Sequence, residues 1–236
     1  GSAESVANLT LRLLLNGLEK LEPQLEPFIW SDVQDVSTYP GYSEIFTISP
    51  EEFIRAAQHS VDRGNAPKGY FTASLAREIF IPTSAERLKQ LLAKLNGKTI
   101  ALRGYGDIAH LVAMKLKELK KLANVSFDVI AWTEHPEDHQ KEAQESGVRF
   151  VPTLDDLSDA LVLSNHLPSR GPSFTPAQLN KFAPKGSTER KIIINTGRPA
   201  FMIPGMITEF AWRNGIYLAD TDADEDLMLV RQDNPL

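Results

Sequence analysis

Gly97-Lys98-Thr99-Ile100-Ala101-Leu102-Arg103-Gly104-Tyr105-Gly106-Asp107-Ile108-Ala109 is the stretch that decides the fold. Residues 99–103 form a short apolar run, as a buried strand requires. Gly104-Tyr105-Gly106 reads as a tight turn, and residues 107–122 carry helical spacing. The turn has the form G-x-G-x-x-A. In that pattern the first glycine permits the turn and the second lets backbone approach a pyrophosphate. The small residue, here Ala109, lets helix and strand pack closely. The amides opening the helix, around Asp107 and Ile108, are free to donate to phosphate oxygens. A plain glycine turn could share the pattern. Its setting, after one strand, at the start of a helix and before a second strand at 126–132, gives it meaning.

Outward from this unit, strands and helices alternate. Helical patterns cover 136–146, 154–158 (capped by Thr153), 175–182 and 204–214. Short apolar runs at 148–151, 160–164, 191–195, 216–218 and 227–230 read as strands. Continuous apolar runs, rather than alternating ones, indicate a parallel sheet covered on both faces. Before the glycine turn, residues 5–21 form a helix with a broad apolar face, ended by Pro23. Ser49-Pro50-Glu51-Glu52 opens a further helix to about Arg63, and another starts at Thr83 and ends near Asn96-Gly97.

Composition narrows the function. The 236 residues carry a formal net charge of -6, which gives no basic footprint for nucleic acid or an anionic membrane. Cysteine is absent, so thiolate chemistry and disulfides are excluded, and a cytoplasmic location fits. No uninterrupted apolar run reaches membrane-spanning length. Gly1-Ser2 reads as the remnant of a cleaved tag.

Several segments together resemble the D-isomer-specific 2-hydroxyacid dehydrogenase family. Residues 97–109 are similar to its "GKTxGxxGxGxIG" segment, and Glu4–Leu11 to the "SVAExxxxLxL" helix before its cofactor domain. Ser164-Asn165-His166-Leu167-Pro168 resembles its "xxHxP" loop. Ile193-Ile194-Asn195-Thr196-Gly197-Arg198 resembles "xxNTAR", and Asn214–Asp220 resembles "GxIxGAxLD". The resemblance implies a Rossmann-like, doubly wound, mostly parallel α/β sheet that binds NAD. Residues 1–21 and 97–236 would form this domain, with 22–96 as an inserted helical arm. Its cofactor-binding residues would be Gly104, Gly106, Asp107, Ile108, Thr133, His166, Pro168, Thr196, Gly197 and Asp220. Arg198 would clamp a substrate carboxylate with two parallel hydrogen bonds, and Glu225 would orient a catalytic histidine. The family also implies a homodimer using the first helix.

The departures carry equal weight. The acid that ends the second strand and holds the ribose hydroxyls is replaced by Thr133, with Glu134 next. No arginine follows to hold a 2′-phosphate, which favours NAD over NADP. Gln232 stands where the family's proton-donating histidine is expected, and glutamine is no acid near neutral pH. Pro199 replaces a glycine, and the substrate domain is not among these residues. The reading is therefore an NAD(H)-binding dehydrogenase-like domain, excised or catalytically degenerate and inactive alone. The alternative is a dinucleotide-sensing scaffold for dimerisation and partner binding, of the corepressor type. Residues 22–96 hold an aromatic cluster, Trp30, Tyr39, Tyr42, Phe46 and Phe53, suited to packing or a protein partner. His135 and His139 have metal-compatible spacing, but Pro136 and the acids between them read as an ordinary helix start, so no metal is expected. His110 reads as helix surface or partner contact.

Overall fold

The computed structural model describes residues 3–21, 85–168, 170–197, 201, 209–210, 213 and 215–219. Six parallel strands form one sheet: β1 (Thr99–Arg103), β2 (Asp128–Trp132), β3 (Arg149–Phe150), β4 (Val162–Asn165), β5 (Ile192–Asn195) and β6 (Ile216–Ala219). Their spatial order is β3-β2-β1-β4-β5-β6, so the chain winds outward in both directions from the β1–β4 pair. The helices are α1 (Ala3–Lys20), α2 (Ala85–Ala93), α3 (Asp107–Ala123), α4 (Gln140–Ser146) and α5 (Pro176–Phe182). The doubly wound, parallel α/β reading is what the chain adopts, and β4 and β5 are buried along their whole length.

Right-handed crossovers explain the layering. The β1–α3–β2 connection and the β4–α5–β5 connection run in opposite directions along the sheet, so α3 and α5 cover opposite faces. Helix α1 lies with α3 and touches β5 and β6. Gly17 allows this approach: a Cβ there would stand 3.0 Å from Ile192 and 3.0 Å from Leu218. Leu13 and Leu18 of α1 are fully buried, and so are Leu91 and Leu92 of α2, with Leu95 just beyond it. Each such leucine contributes about 1.5–3 kcal/mol by leaving water. Residues 85–95 therefore share the core of the sheet domain.

Local chemistry trims the expected boundaries. The helical stretch at 136–146 opens as a 3-10 turn, Pro136–His139, before α4 begins. Thr153 and Asp156 form a reciprocal capping box on the 3-10 turn Leu154–Leu157. Thr175 and Gln178 do the same for α5. Among the described residues no helix is long and apolar enough to cross a membrane.

Candidate functional site

At the carboxyl edge of the sheet, Trp132, Arg103, Asn165, Asn195 and Ala219 lie on one rung of neighbouring strands. The winding direction reverses between β1 and β4, and open parallel sheets bind ligands at such a switch point. The turn after β1 and the loops after β2, β4 and β5 all open onto this edge.

The two turn glycines do different work. Gly104 has φ +99°, in the region that disfavours side chains. A Cβ there would lie 3.0 Å from Leu167 Cδ2 and 3.1 Å from the His166 carbonyl carbon, so this glycine lets the turn sit against the loop after β4. Gly106 is extended, with φ -101°, and a Cβ there would meet nothing within 4 Å. Neither backbone strain nor packing among the described residues demands glycine at this position. The room it leaves faces the start of α3, where the N-cap residue offers no side chain to the first amides. Asp107 is exposed, Ile108 half-buried and Ala109 fully buried as the small packing residue. This cradle fits a dinucleotide pyrophosphate, which would take the free amides and the positive end of the helix.

Tyr105, between the glycines, turns inward. Its hydroxyl lies 2.6 Å from Ser146 Oγ and 3.3 Å from His110 Nδ1, tying the turn to α4. Burial pushes its pKa up. His110 thus supports the turn through Tyr105. His139 also meets the Tyr105 ring edge-on, at 5.9 Å between centroids, and so diverges from His135. His135, Glu137 and Asp138 approach one another within 4.8 Å but are all exposed. At the end of β2, Thr133 is half-buried and Glu134 exposed.

On the α1 side of the edge, a chain of hydrogen bonds fixes His166. Thr10 Oγ1 donates to Val6 O at 2.9 Å, so towards Thr196 Oγ1, 3.0 Å away, it can only accept. Thr196 therefore spends its proton on Thr10 and accepts from His166 Nδ1 at 3.4 Å. His166 Nε2 is left to accept from Ser164 Oγ at 2.9 Å. The ring is neutral with its proton on Nδ1, and burial pushes its pKa down to about 4. Pro168, two residues on, is exposed.

On the opposite side, Arg103, Asn165 and Asn195 are buried at the rung. Arg103 Nη1 donates to Asn165 Oδ1 at 3.4 Å, and Asn165 Nδ2 donates to Asn195 Oδ1 at 3.0 Å. The same Asn195 oxygen accepts the Gly197 amide at 3.2 Å. A Cβ on Gly197 would collide with Asn165 Nδ2 at 2.6 Å, so glycine is needed for this close passage.

The structure thus brings Gly104, Gly106, Asp107, Ile108, Thr133, His166, Pro168, Thr196 and Gly197 to one edge. Arg198, Asp220, Glu225 and Gln232 lie outside the described residues, as do the Trp30–Phe53 aromatics, the 49–63 helix and the 227–230 strand. Sequence reasoning did not single out Arg103, Asn165, Asn195, Ser164 or Thr10. One signal was available: an arginine closing an otherwise apolar strand.

A family model described as D-isomer specific 2-hydroxyacid dehydrogenase, NAD binding domain, matches residues 72–227, well over half of the chain. The chain belongs to this family. The match spans the glycine turn, the His166 loop and the segments holding Arg198, Asp220 and Glu225, and it stops before Gln232. The chain carries the family's NAD-binding domain, and NAD is the cofactor that domain takes. No curated protein matches the chain. Among solved structures, the PH0520 protein from Pyrococcus horikoshii OT3 is 16% identical over 98% of this chain and 62% of its own, with a TM-score of 0.47. NAD-dependent formate dehydrogenase from Staphylococcus aureus, in complex with NAD, is 16% identical over 78% of this chain and 61% of its own, at 0.39. D-lactate dehydrogenase with NAD+ from Lactobacillus jensenii is 15% identical over 78% and 63%, at 0.38. The chain spans about three fifths of the length of these proteins.

Proposed function

We propose that the chain binds NAD(H) across the carboxyl edge of the sheet, as the cofactor domain, excised or catalytically degenerate, of a 2-hydroxyacid dehydrogenase-like protein. The observation that carries the binding mode is the open space at Gly106, which no packing among the described residues requires. Bound NAD(H) supplies hydride exchange with a 2-hydroxy or 2-keto acid in the parent family. The chain's own contributions are separable from that chemistry. The start of α3 binds phosphate, and Thr133 with Glu134 meets the adenosine ribose and disfavours a 2′-phosphate. Thr196, Gly197 and Asp220 approach the nicotinamide side. Arg198 is suited to grip a substrate carboxylate, and Glu225 corresponds to the acid that orients the family's catalytic histidine.

Among the described residues the arrangement offers no proton donor. Both nitrogens of His166 are committed to hydroxyls in the neutral form. With its pKa near 4 it gives up no proton at neutral pH, and Gln232 supplies none. Calorimetry with NADH on this chain and on Gly106→Val tests the binding. NADH oxidation with a panel of 2-keto acids, by this chain and by Gln232→His, tests the degeneracy. Turnover by the unmodified chain, lost on Arg198→Ala, overturns it.

The second reading, a dinucleotide-sensing scaffold, is favoured by an open groove of about 570 Å³ between α1 and α3. Leu11, Leu111, Met114 and Leu119 line it, and Leu122 is 55% exposed at its rim. Such a face suits self-association through α1, with residues 22–96 offering further contact and the cytoplasm as the setting. Light scattering that reports a monomer at micromolar concentration would count against it.

A further inference from the structure

Arg103 is the largest fully buried side chain among the described residues and the one cation among those fully buried side chains. Among the described residues no carboxylate pairs with it, and burial alone pulls its pKa down, to about 10. A guanidinium retained in such a place is costly unless its donors are used. The geometry shows what they hold. Nη2 donates to Pro172 O at 2.6 Å, Nη1 donates to Asn165 Oδ1, and the plane lies 5.0 Å over the Phe201 ring. The backbone carbonyl of Arg103 also accepts the His166 amide at 2.9 Å. One residue therefore braces both ends of the loop that follows β4.

Direction matters as much as contact. An amide side chain can sit either way round, and its neighbours decide which end is the oxygen. Arginine donates and never accepts, so Asn165 must present Oδ1 to it and Nδ2 to the far side. Asn165 Nδ2 then requires an oxygen, which Asn195 provides, and Asn195 Nδ2 turns to the Tyr217 hydroxyl at 3.3 Å. That orientation leaves Asn195 Oδ1 to accept the Gly197 amide. Were Asn195 reversed, two donors would face each other at Gly197.

We propose that Arg103 is a positioning residue: its donor-only head sets the polarity of the Arg103–Asn165–Asn195 chain and so holds Gly197 and the loop after β4 in place on the nicotinamide side of the site. The assignment to that side rests on the NAD-binding reading above. The adenosine side, built from the glycine turn and β2, does not use this chain.

The test compares this chain with Arg103→Met, Arg103→Lys and Asn165→Asp. Asn165→Asp keeps the side-chain volume and the arginine contact but removes the donation to Asn195, so it tests the polarity even if Arg103→Met folds poorly. NADH should bind about tenfold more weakly to Arg103→Met and Asn165→Asp, while ADP, which reports only the adenosine half, changes by less than about twofold. Arg103→Lys, a donor-only cation, should recover part of the NADH affinity. Hydrogen exchange of the apo protein is read in parallel. The Gly171 and Phe174 amides, bonded to Pro168 O and Phe201 O, should exchange faster in Arg103→Met, with α3 and β2 unchanged. Equal losses for NADH and ADP, or exchange that rises evenly through the domain, would show a merely structural arginine and overturn the proposal. Failure of the unmodified chain to bind NADH would overturn the cofactor reading, and the exchange pattern would still decide whether Arg103 braces the loop.

Discussion

The two halves of the sheet edge are built on opposite principles. On the β1–β2 side the site is made of absence: the open space at Gly106 and the free helix amides leave room for a ligand, over a turn packed by Gly104 and Ala109. On the β4–β5 side it is made of filled polar positions, with Arg103, Asn165 and Asn195 under one side of the rung and Thr10, Thr196, His166 and Ser164 on the other. Backbone recognition of phosphate needs only space and amides. Holding loops in a buried setting needs every donor and acceptor matched. The first half should therefore respond to added bulk, and the second to changes of charge and protonation.

The largest effect is expected where bulk strikes the protein itself. Gly104→Val adds a branched side chain at φ +99° against Leu167, and should cost about 3–5 kcal/mol of stability by denaturant unfolding. Gly106→Val separates the two glycines. Its unfolding should be close to that of the parent, while NADH affinity falls by roughly 100-fold, about 2.7 kcal/mol. Equal destabilisation by both substitutions would erase the distinction between a glycine kept for the fold and one kept for a ligand.

The other half should show itself through pH. His166 has a folded-state pKa of about 4, below the unfolded value near 6.5. As pH falls, the unfolded chain takes up a proton first. This contribution is full above about 6.5 and is lost as pH drops towards 4, by about 2–3 kcal/mol. His166→Gln should flatten that part of the stability–pH curve. An unchanged slope would mean the imidazole is free to protonate in the fold. Smallest of all is the exposed pair Lys115–Glu4 between α3 and α1, at 2.6 Å. Glu4→Gln should shift stability by less than about 0.5 kcal/mol and fade further with salt. It is the control that shows what a polar contact is worth in water.

Legibility in the sequence follows the same divide. The glycine turn, the alternation of short apolar runs with helical spacing, and the caps at Thr153 and Thr175 are all local, so residue order alone reveals them. The polar rung is not local. Arg103 and Asn165 are 62 residues apart, and Asn165 and Asn195 are 30 apart. Only strand order makes them neighbours, and nothing in the run Thr99–Leu102 says which way the following arginine points. Helical spacing reads His110 as helix surface or partner contact, because it cannot register a tyrosine hydroxyl reaching it from inside the turn. The family segments point to Thr196 and Gly197, which lie at this edge, but give no hint that Thr10 of the first helix joins them.

That last contact has a consequence for how the protein is made. Thr10 and Thr196 are 186 residues apart, and Gly17 docks on Ile192 and Leu218. During synthesis α1 leaves the ribosome well before β5 and β6, the surface it must cover. At about 5–20 residues per second, its leucine-rich face waits roughly 10–40 s for β5 and β6. The nascent chain has to keep that face shielded over this interval, and the sheet edge is finished only when α1 closes on strands made long after it.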